Sequence, residues 1–167
     1  MKEHLHGVNM NYNLTTNKSA ISVLILIRIV LGWLMFYAGI TKILEANWSA
    51  AGFLQNSTYG PFKDLFLVFV SNPIVDALVM FGLILIGLSL ILGLFVRISS
   101  FFGIILMILF YLPRFPPQTG IVDQHIVYIL LFLMFIVIGI GRFFGLDYYL
   151  EKIEFIKRNK WLKGLLG

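Results

Sequence analysis

The sequence contains no cysteine among its 167 residues. This absence excludes disulfides, thiol redox relays, cysteine-ligated zinc and thiolate-held iron–sulfur clusters. Any redox chemistry carried out by this chain must therefore use a bound cofactor or a partner subunit.

Charged side chains are also scarce. Only 13% of the residues are charged, 59% are hydrophobic, and the mean hydropathy is +0.92. Soluble domains have about 25% charged residues, and a surface with so few polar groups would expose large apolar patches. The composition therefore excludes a soluble monomer and predicts an all-α integral membrane protein in contact with the lipid bilayer.

Apolar runs predict four transmembrane helices packed as a bundle. A span needs about 20 mostly apolar residues. The third apolar run, residues 98–112, is short, so it crosses the bilayer only if Arg97 extends to the lipid surface or the helix continues through Pro113. Asn72 before Pro73, and Asp123, predict the starts of the second and fourth helices. The predicted spans are residues 20–44, 73–95, 98–112 and 124–141.

The distribution of basic residues predicts the orientation. With four crossings, both termini and the second loop share one side, which holds nine lysines and arginines. The other side holds three, namely Lys42, Lys63 and Arg114. The positive-inside rule then places both termini in the cytoplasm, as expected for a multi-pass protein of the plasma membrane. Topology accounts for the net charge of +5, so no nucleic-acid partner is expected.

Three regions follow from this pattern. Residues 1–19 form a polar cytoplasmic tail, residues 20–147 the four-helix membrane domain, and residues 148–167 a basic amphipathic helix on anionic lipid headgroups. The outer segment 45–72 is too short to span and too apolar to be solvated. It is expected to lie in the outer interface or to fold back over the bundle.

Arg28 lies within the first span, where a charged side chain is costly and should face protein. On a helix, Gly32, Gly39 and Lys42 fall on the same face as Arg28, and small residues there permit close helix packing. Two interpretations stay open: a site for an anion or a quinone headgroup, or an Arg paired with a carboxylate and a Lys that extends outward.

The inner ends of the spans carry further charges. Asp147 follows the fourth span on the same side as Arg28, Arg97 and Arg142. None of these groups ordinarily titrates near neutral pH, so Arg97, Arg142 and Asp147 are interpreted as a structural charge cluster.

The outer ends of the spans bring together residues suited to proton transfer. Asp123, His125 and Tyr128 begin the fourth span, while Lys42, Trp48 and Arg114 lie at the same level. Histidine has an ordinary pKa near physiological pH. We predict His125 and Asp123 as catalytic, and Lys42, Arg114, Tyr128, Trp48 and Arg28 as residues that bind substrate or quinone. The alternative is an interfacial histidine beside a helix-capping aspartate.

His125 is the only histidine near the predicted spans. A haem with two histidine ligands is therefore not expected on this chain alone, and no metal site is predicted.

The order of several short motifs resembles the DoxX/DoxD family over residues 25–147. The Trp48 to Phe53 region and Gly60-Pro61-Phe62 are similar to the DoxD branch, the small subunit of thiosulfate:quinone oxidoreductase. The family-like motifs are Arg28-x3-Gly32-x6-Gly39-x2-Lys42, the run from Gly87 to Arg97, Phe115-Pro116-Pro117, Asp123-Gln124-His125, and Gly139-Ile140-Gly141-Arg142-x4-Asp147.

This resemblance implies a four-helix subunit that helps to oxidise thiosulfate to tetrathionate, with electrons passed to quinone and a second subunit as partner. Two positions depart from the family pattern: the second span has no Glu around Leu83, and Gln124 stands where relatives often carry Glu. The alternative function is a non-catalytic integral subunit that anchors or stabilises a larger membrane complex of respiratory type.

Overall fold

The computed structural model describes residues 18–118 and 120–166, which form helices joined by turns and loops. The predicted tail 1–19 falls almost wholly outside these residues. The helices are α1 (Lys18–Leu44), α2 (Ala51–Asn56), α3 (Lys63–Leu67), α4 (Pro73–Leu92), α5 (Val96–Tyr111), α6 (Gln124–Ile138), α7 (Leu146–Leu150), α8 (Glu154–Arg158) and α9 (Lys160–Leu165).

Among the described residues, three helical stretches are long and apolar enough to cross a membrane: Lys18–Leu44, Pro73–Leu92 and Val96–Arg114. The third includes a 3-10 turn, Leu112–Arg114, that carries the helical path past Pro113. Helix α6 is apolar but has only 15 residues. The described residues therefore have the helical architecture expected from the composition, with three candidate spans and one shorter apolar helix.

Local sequence signals set the ends of α4 and α6. The Asn72 side chain accepts a hydrogen bond from the Ile74 amide, and Asp123 caps α6 in the same way, which confirms both predicted starts. Both helices end earlier than predicted, because Gly93 and Gly139 adopt left-handed conformations with φ of 65° and 66°. A left-handed glycine is a common helix terminator.

Glycine contacts hold the bundle together in two close helix pairs. Gly32 and Gly39 of α1 pack against α4, and Gly87 of α4 packs against α1. On the other side, Gly103 of α5 lies against the ring of Phe132 in α6. The predicted small-residue face of α1 is confirmed as a packing surface. It is an efficient arrangement in lipid, where van der Waals contact contributes much of the association energy.

Gly87→Ala should separate α1 from α4. A Cβ at this position would lie 2.7 Å from the Gly32 carbonyl oxygen and against the Phe36 backbone nitrogen. Because backbone atoms cannot move aside locally, we expect the free energy of unfolding to fall by about 1–3 kcal/mol. Tryptophan fluorescence during thermal unfolding in detergent measures the change.

The matched control is Gly82→Ala on the same helix. Its Cβ would approach only the Leu106 Cδ2 atom, at 3.9 Å. This variant should melt at or slightly above the native temperature, since alanine favours helix more than glycine does. Equal melting of the two variants would show that the α1–α4 contact is not as close as described.

The outer segment folds back onto the bundle. Ala50, Leu54 and Phe66 are buried in a small apolar cluster formed by α2, α3 and the ends of the long helices. The Ala50 amide donates to the Asp76 carboxylate at 2.7 Å, and the Tyr59 amide donates to the Pro113 carbonyl at 2.9 Å. These contacts fix α2 over the end of the bundle that is predicted to be the outer one.

The prediction of one continuous amphipathic helix over residues 148–167 is wrong. The described part of this segment contains three short helices, α7, α8 and α9. Ile153 and Asn159 have extended backbone conformations, with ψ of 129° and 94°, and these interrupt the helical path. The helix therefore breaks at two places.

Candidate functional site

A cavity of about 350 Å³ lies at the predicted outer end of the bundle. It forms where α1 ends, α5 ends and α6 begins, and α2 contributes Phe53 to its wall. Four predicted site residues line it together with five further side chains. The lining comprises Lys42, Trp48, Ala50, Phe53, Val79, Phe110, Arg114, Gln124 and His125.

Asp123 and His125 form a close pair at the start of α6. The His125 Nδ1 atom lies 2.6 Å from the Asp123 Oδ2 atom. The other carboxylate oxygen accepts hydrogen bonds from the His125 and Ile126 amides at 2.9 Å and 3.2 Å. One carboxylate therefore caps the helix and also orients the imidazole, so the two interpretations of Asp123 are compatible.

The carboxylate is held in its ionised form. Burial raises the pKa of Asp123. Hydrogen bonds lower it by more than burial raises it, and they come from the His125 ring and from the Ile126 and His125 amides, together with the attraction of a charged imidazole. The net pKa lies below the ordinary value of 3.8. At neutral pH, Asp123 therefore remains an acceptor for Nδ1–H, which leaves Nε2 of His125 for a ligand.

The His125 ring is enclosed on a second side by an aromatic ring. Phe110 meets it edge-on, with ring centroids 6.1 Å apart. The His125 side chain is 12% exposed. An imidazole enclosed in this way, with its orientation fixed by a carboxylate, is suited to exchange a proton with a ligand in the cavity.

Both cations of the cavity lie over aromatic faces. Lys42 Nζ is 5.3 Å from the Trp48 ring centroid and donates to the Ala38 carbonyl at 3.2 Å. The Arg114 guanidinium carbon lies 4.7 Å from the Phe53 ring centroid. These contacts hold two positive charges at the cavity wall, and the charge of Lys42 also interacts with that of Glu45.

The structure brings together only some of the predicted residues. Lys42, Trp48, Arg114 and His125 line the cavity, and Asp123 contacts His125. Tyr128 is absent from the lining and packs against the main core instead. Sequence reasoning missed Phe53 and Phe110 as cavity walls. Phe110 precedes Arg114 by one helical turn, a spacing that could have indicated it.

Arg28 belongs to the opposite end of the bundle. Its side chain is 1% exposed, and Nη1 donates to the Ile140 carbonyl at 3.3 Å. Its charge also interacts with that of Asp147. These contacts match the interpretation in which Arg28 faces protein near a carboxylate, and they place it outside the outer cavity.

Asp147 serves chiefly as a remote helix cap. The fully buried carboxylate accepts hydrogen bonds from the Phe95 and Val96 amides, at 2.7 Å and 3.1 Å, and so caps α5. The Asp147 amide donates to the Gly93 carbonyl at 2.9 Å. A carboxylate is stabilised here by amides at the helix start that have no partner within the helix, and by the positive end of the helix dipole.

The other two arginines of the predicted cluster reach different partners. Arg97 Nε donates to the Ile136 carbonyl at 3.1 Å, near the end of α6. Arg142 lies 3.8 Å from the Glu151 carboxylate and donates to the Leu166 carbonyl at 3.4 Å. These guanidinium groups hold helix and chain ends in position, and the charge of Arg97 also interacts with those of Arg142 and Glu151.

Across residues 18–118 and 120–166, no group of three or more His, Asp or Glu side chains is arranged to hold a metal ion. Searches of curated proteins and of solved structures found no match. A family model described as "TQO small subunit DoxD" matches residues 23–167, which extends the resemblance through the C-terminal helices. The chain belongs to the DoxD family.

Proposed function

We propose that this chain is the membrane subunit of a thiosulfate:quinone oxidoreductase, and that the outer cavity is where it meets its substrates. Lys42 and Arg114 attract the thiosulfate dianion to the cavity. His125, oriented by Asp123, exchanges protons with a quinone headgroup beside Trp48. The observation that carries the proposal is the Asp123–His125 pair on the wall of a cavity that also holds two cations.

The reaction divides into a sulfur step and a quinone step. Two thiosulfate ions each lose one electron and join through a new S–S bond to give tetrathionate. The quinone takes up these two electrons and two protons to become a quinol. His125 passes protons one at a time to the quinone oxygens and regains them from water. Because this chain has no cysteine, we assign the sulfur step to a site completed by a second subunit.

The proposed topology has four crossings with the cavity on the outer side. Helix α6 rises about 22 Å, less than the bilayer core of about 30 Å. The turn Ile140–Arg142 continues it, and Arg142 can extend to the lipid surface. The nine basic residues on the side of the termini support a cytoplasmic location for both ends in the plasma membrane.

The direct test is thiosulfate-dependent quinone reduction in membranes that contain this chain and its partner. Lys42→Gln and Arg114→Gln should each raise the KM for thiosulfate about tenfold, because two charges focus the dianion into the cavity. The value of kcat should change much less. The effect should weaken as ionic strength rises.

Lys63→Gln is the matched control. Lys63 is exposed on α3, on the same predicted side, and does not line the cavity. Its replacement should leave the KM for thiosulfate unchanged. A similar rise in all three variants would mean that only the overall surface charge matters, and the proposed site would then be wrong.

A second candidate is a non-catalytic subunit that anchors a larger membrane complex. Trp33 and Tyr37 support it, because they stack at 6.4 Å and are both more than half exposed on one face of α1. Such an exposed aromatic pair can pack against a partner helix as well as against lipid. The two candidates differ in whether quinone is bound.

A further inference from the structure

The outer cavity adjoins two further apolar spaces. A second cavity of about 260 Å³ lies beside it and shares four of its lining residues: Ala50, Phe53, Val79 and Phe110. The second cavity in turn shares Leu78, Leu106 and Leu109 with a groove of about 540 Å³ between α4 and α5. Shared walls at both junctions make the three spaces neighbours in series.

The groove runs along the lipid-facing side of α4 and α5. From Leu78 to Leu92 it extends about 21 Å, given the rise of an α-helix. Its two serine hydroxyls are already satisfied, since Ser89 donates to the Leu94 carbonyl and Ser99 to the Val96 carbonyl. The groove therefore offers an apolar surface without free polar groups.

Exposed side chains open the groove toward the bilayer. Leu85 and Phe102 line it, one on each helix, and are 65% and 56% exposed. At the other end of the series, the outer cavity holds His125, Lys42 and Arg114. A ligand that occupies all three spaces has a compact polar head, a long apolar tail, and a route in from the side.

We propose that the three adjoining spaces open into one passage that holds a membrane quinone, with its headgroup in the outer cavity and its isoprenoid tail in the groove between α4 and α5. This inference rests on the proposed function and adds the route by which quinone enters. A phospholipid fits less well, because its phosphate-linked headgroup and glycerol are bulkier than a quinone ring and would have to enter a cavity of about 350 Å³.

The groove acts by positioning the tail. An isoprenoid tail that leaves lipid for the groove gains little hydrophobic free energy, since both surroundings are apolar. The tail instead limits where the headgroup can settle and directs it toward His125. Obstruction of the groove should therefore affect long-tailed quinones and spare quinones that reach the cavity without a tail.

Gly82→Phe tests this inference. Gly82 lines the groove, and a Cβ there meets only the Leu106 Cδ2 atom at 3.9 Å, so a larger side chain enters the groove instead of the core. Thiosulfate-dependent reduction is measured with one quinone headgroup that carries either its full-length tail or a single isoprene unit. We expect the KM for the long-tailed quinone to rise about tenfold and that for the short-tailed quinone to stay unchanged.

Two further variants control for bulk and folding. Gly82→Leu fills the groove less and should show a smaller rise of the same kind. Leu130→Phe adds an aromatic ring on a lipid-facing position of α6 that lines none of these cavities, and it should behave as the native chain.

The outcomes separate this inference from the proposed function. A native complex that reduces neither quinone overturns both. If the native complex reduces both quinones, and Gly82→Phe changes the KM for both equally or for neither, the tail passage alone is overturned. Selective loss with the long-tailed quinone supports it.

Discussion

His125→Ala is expected to lower thiosulfate-dependent quinone reduction by about 10²–10⁴-fold, the usual contribution of a positioned acid–base group. In the proposed mechanism the imidazole is the proton carrier that lies against the cavity and is oriented by Asp123 at 2.6 Å. The loss should fall mainly on kcat, because the proton moves in the transition state. Steady-state kinetics in membranes, corrected for the amount of assembled complex, measures it.

Asp123→Asn tests the role of the carboxylate beside His125. An asparagine side chain still caps α6 through its oxygen, so the helix start is retained. It replaces the carboxylate oxygen that lies 2.6 Å from Nδ1 and orients the imidazole, so kcat should fall while the helix start is kept. Unchanged turnover in His125→Ala would remove the histidine from the mechanism, and an unchanged kcat in Asp123→Asn would remove the carboxylate.

Asp147→Ala should cause a large loss of stability. The carboxylate is fully buried, caps α5 through two amides, and interacts with the buried charge of Arg28. Its removal leaves two amides without their acceptor and an uncompensated cation. Loss of one partner of a buried charge pair costs about 3–5 kcal/mol. The expected result is little folded protein in the membrane fraction.

Asp64→Ala is the control, since Asp64 is an exposed acid in the first turn of a short helix. It should accumulate at the native level. Asp147→Asn tests the charge separately from the cap, because an amide oxygen can still accept one hydrogen bond; it should be intermediate in stability. Native melting of Asp147→Ala would contradict the role given to this carboxylate.

Features that depend on neighbouring residues could be predicted from the sequence. The capping side chains of Asn72 and Asp123 act within three residues, so local patterns were enough to locate two helix starts. The face shared by Arg28, Gly32 and Gly39 follows from helical periodicity alone, and the glycines of this face pack against α4.

Features that depend on distant contacts could not be predicted in this way. Asp147 caps a helix that begins 51 residues earlier in the chain, and no local pattern joins the two. Phe53 reaches the cavity only because α2 folds back over the bundle. Tyr128 is one turn from His125, but the bundle packs it against the core.

The most direct test of the account is the composition of the complex purified in mild detergent with this chain as bait. Mass spectrometry of bound protein and lipid should find a second subunit and a membrane quinone in stoichiometric amount. Tight association with other subunits without quinone would favour the anchoring subunit. A chain isolated with neither would contradict the central claim that this protein brings quinone to a partner-dependent oxidoreductase.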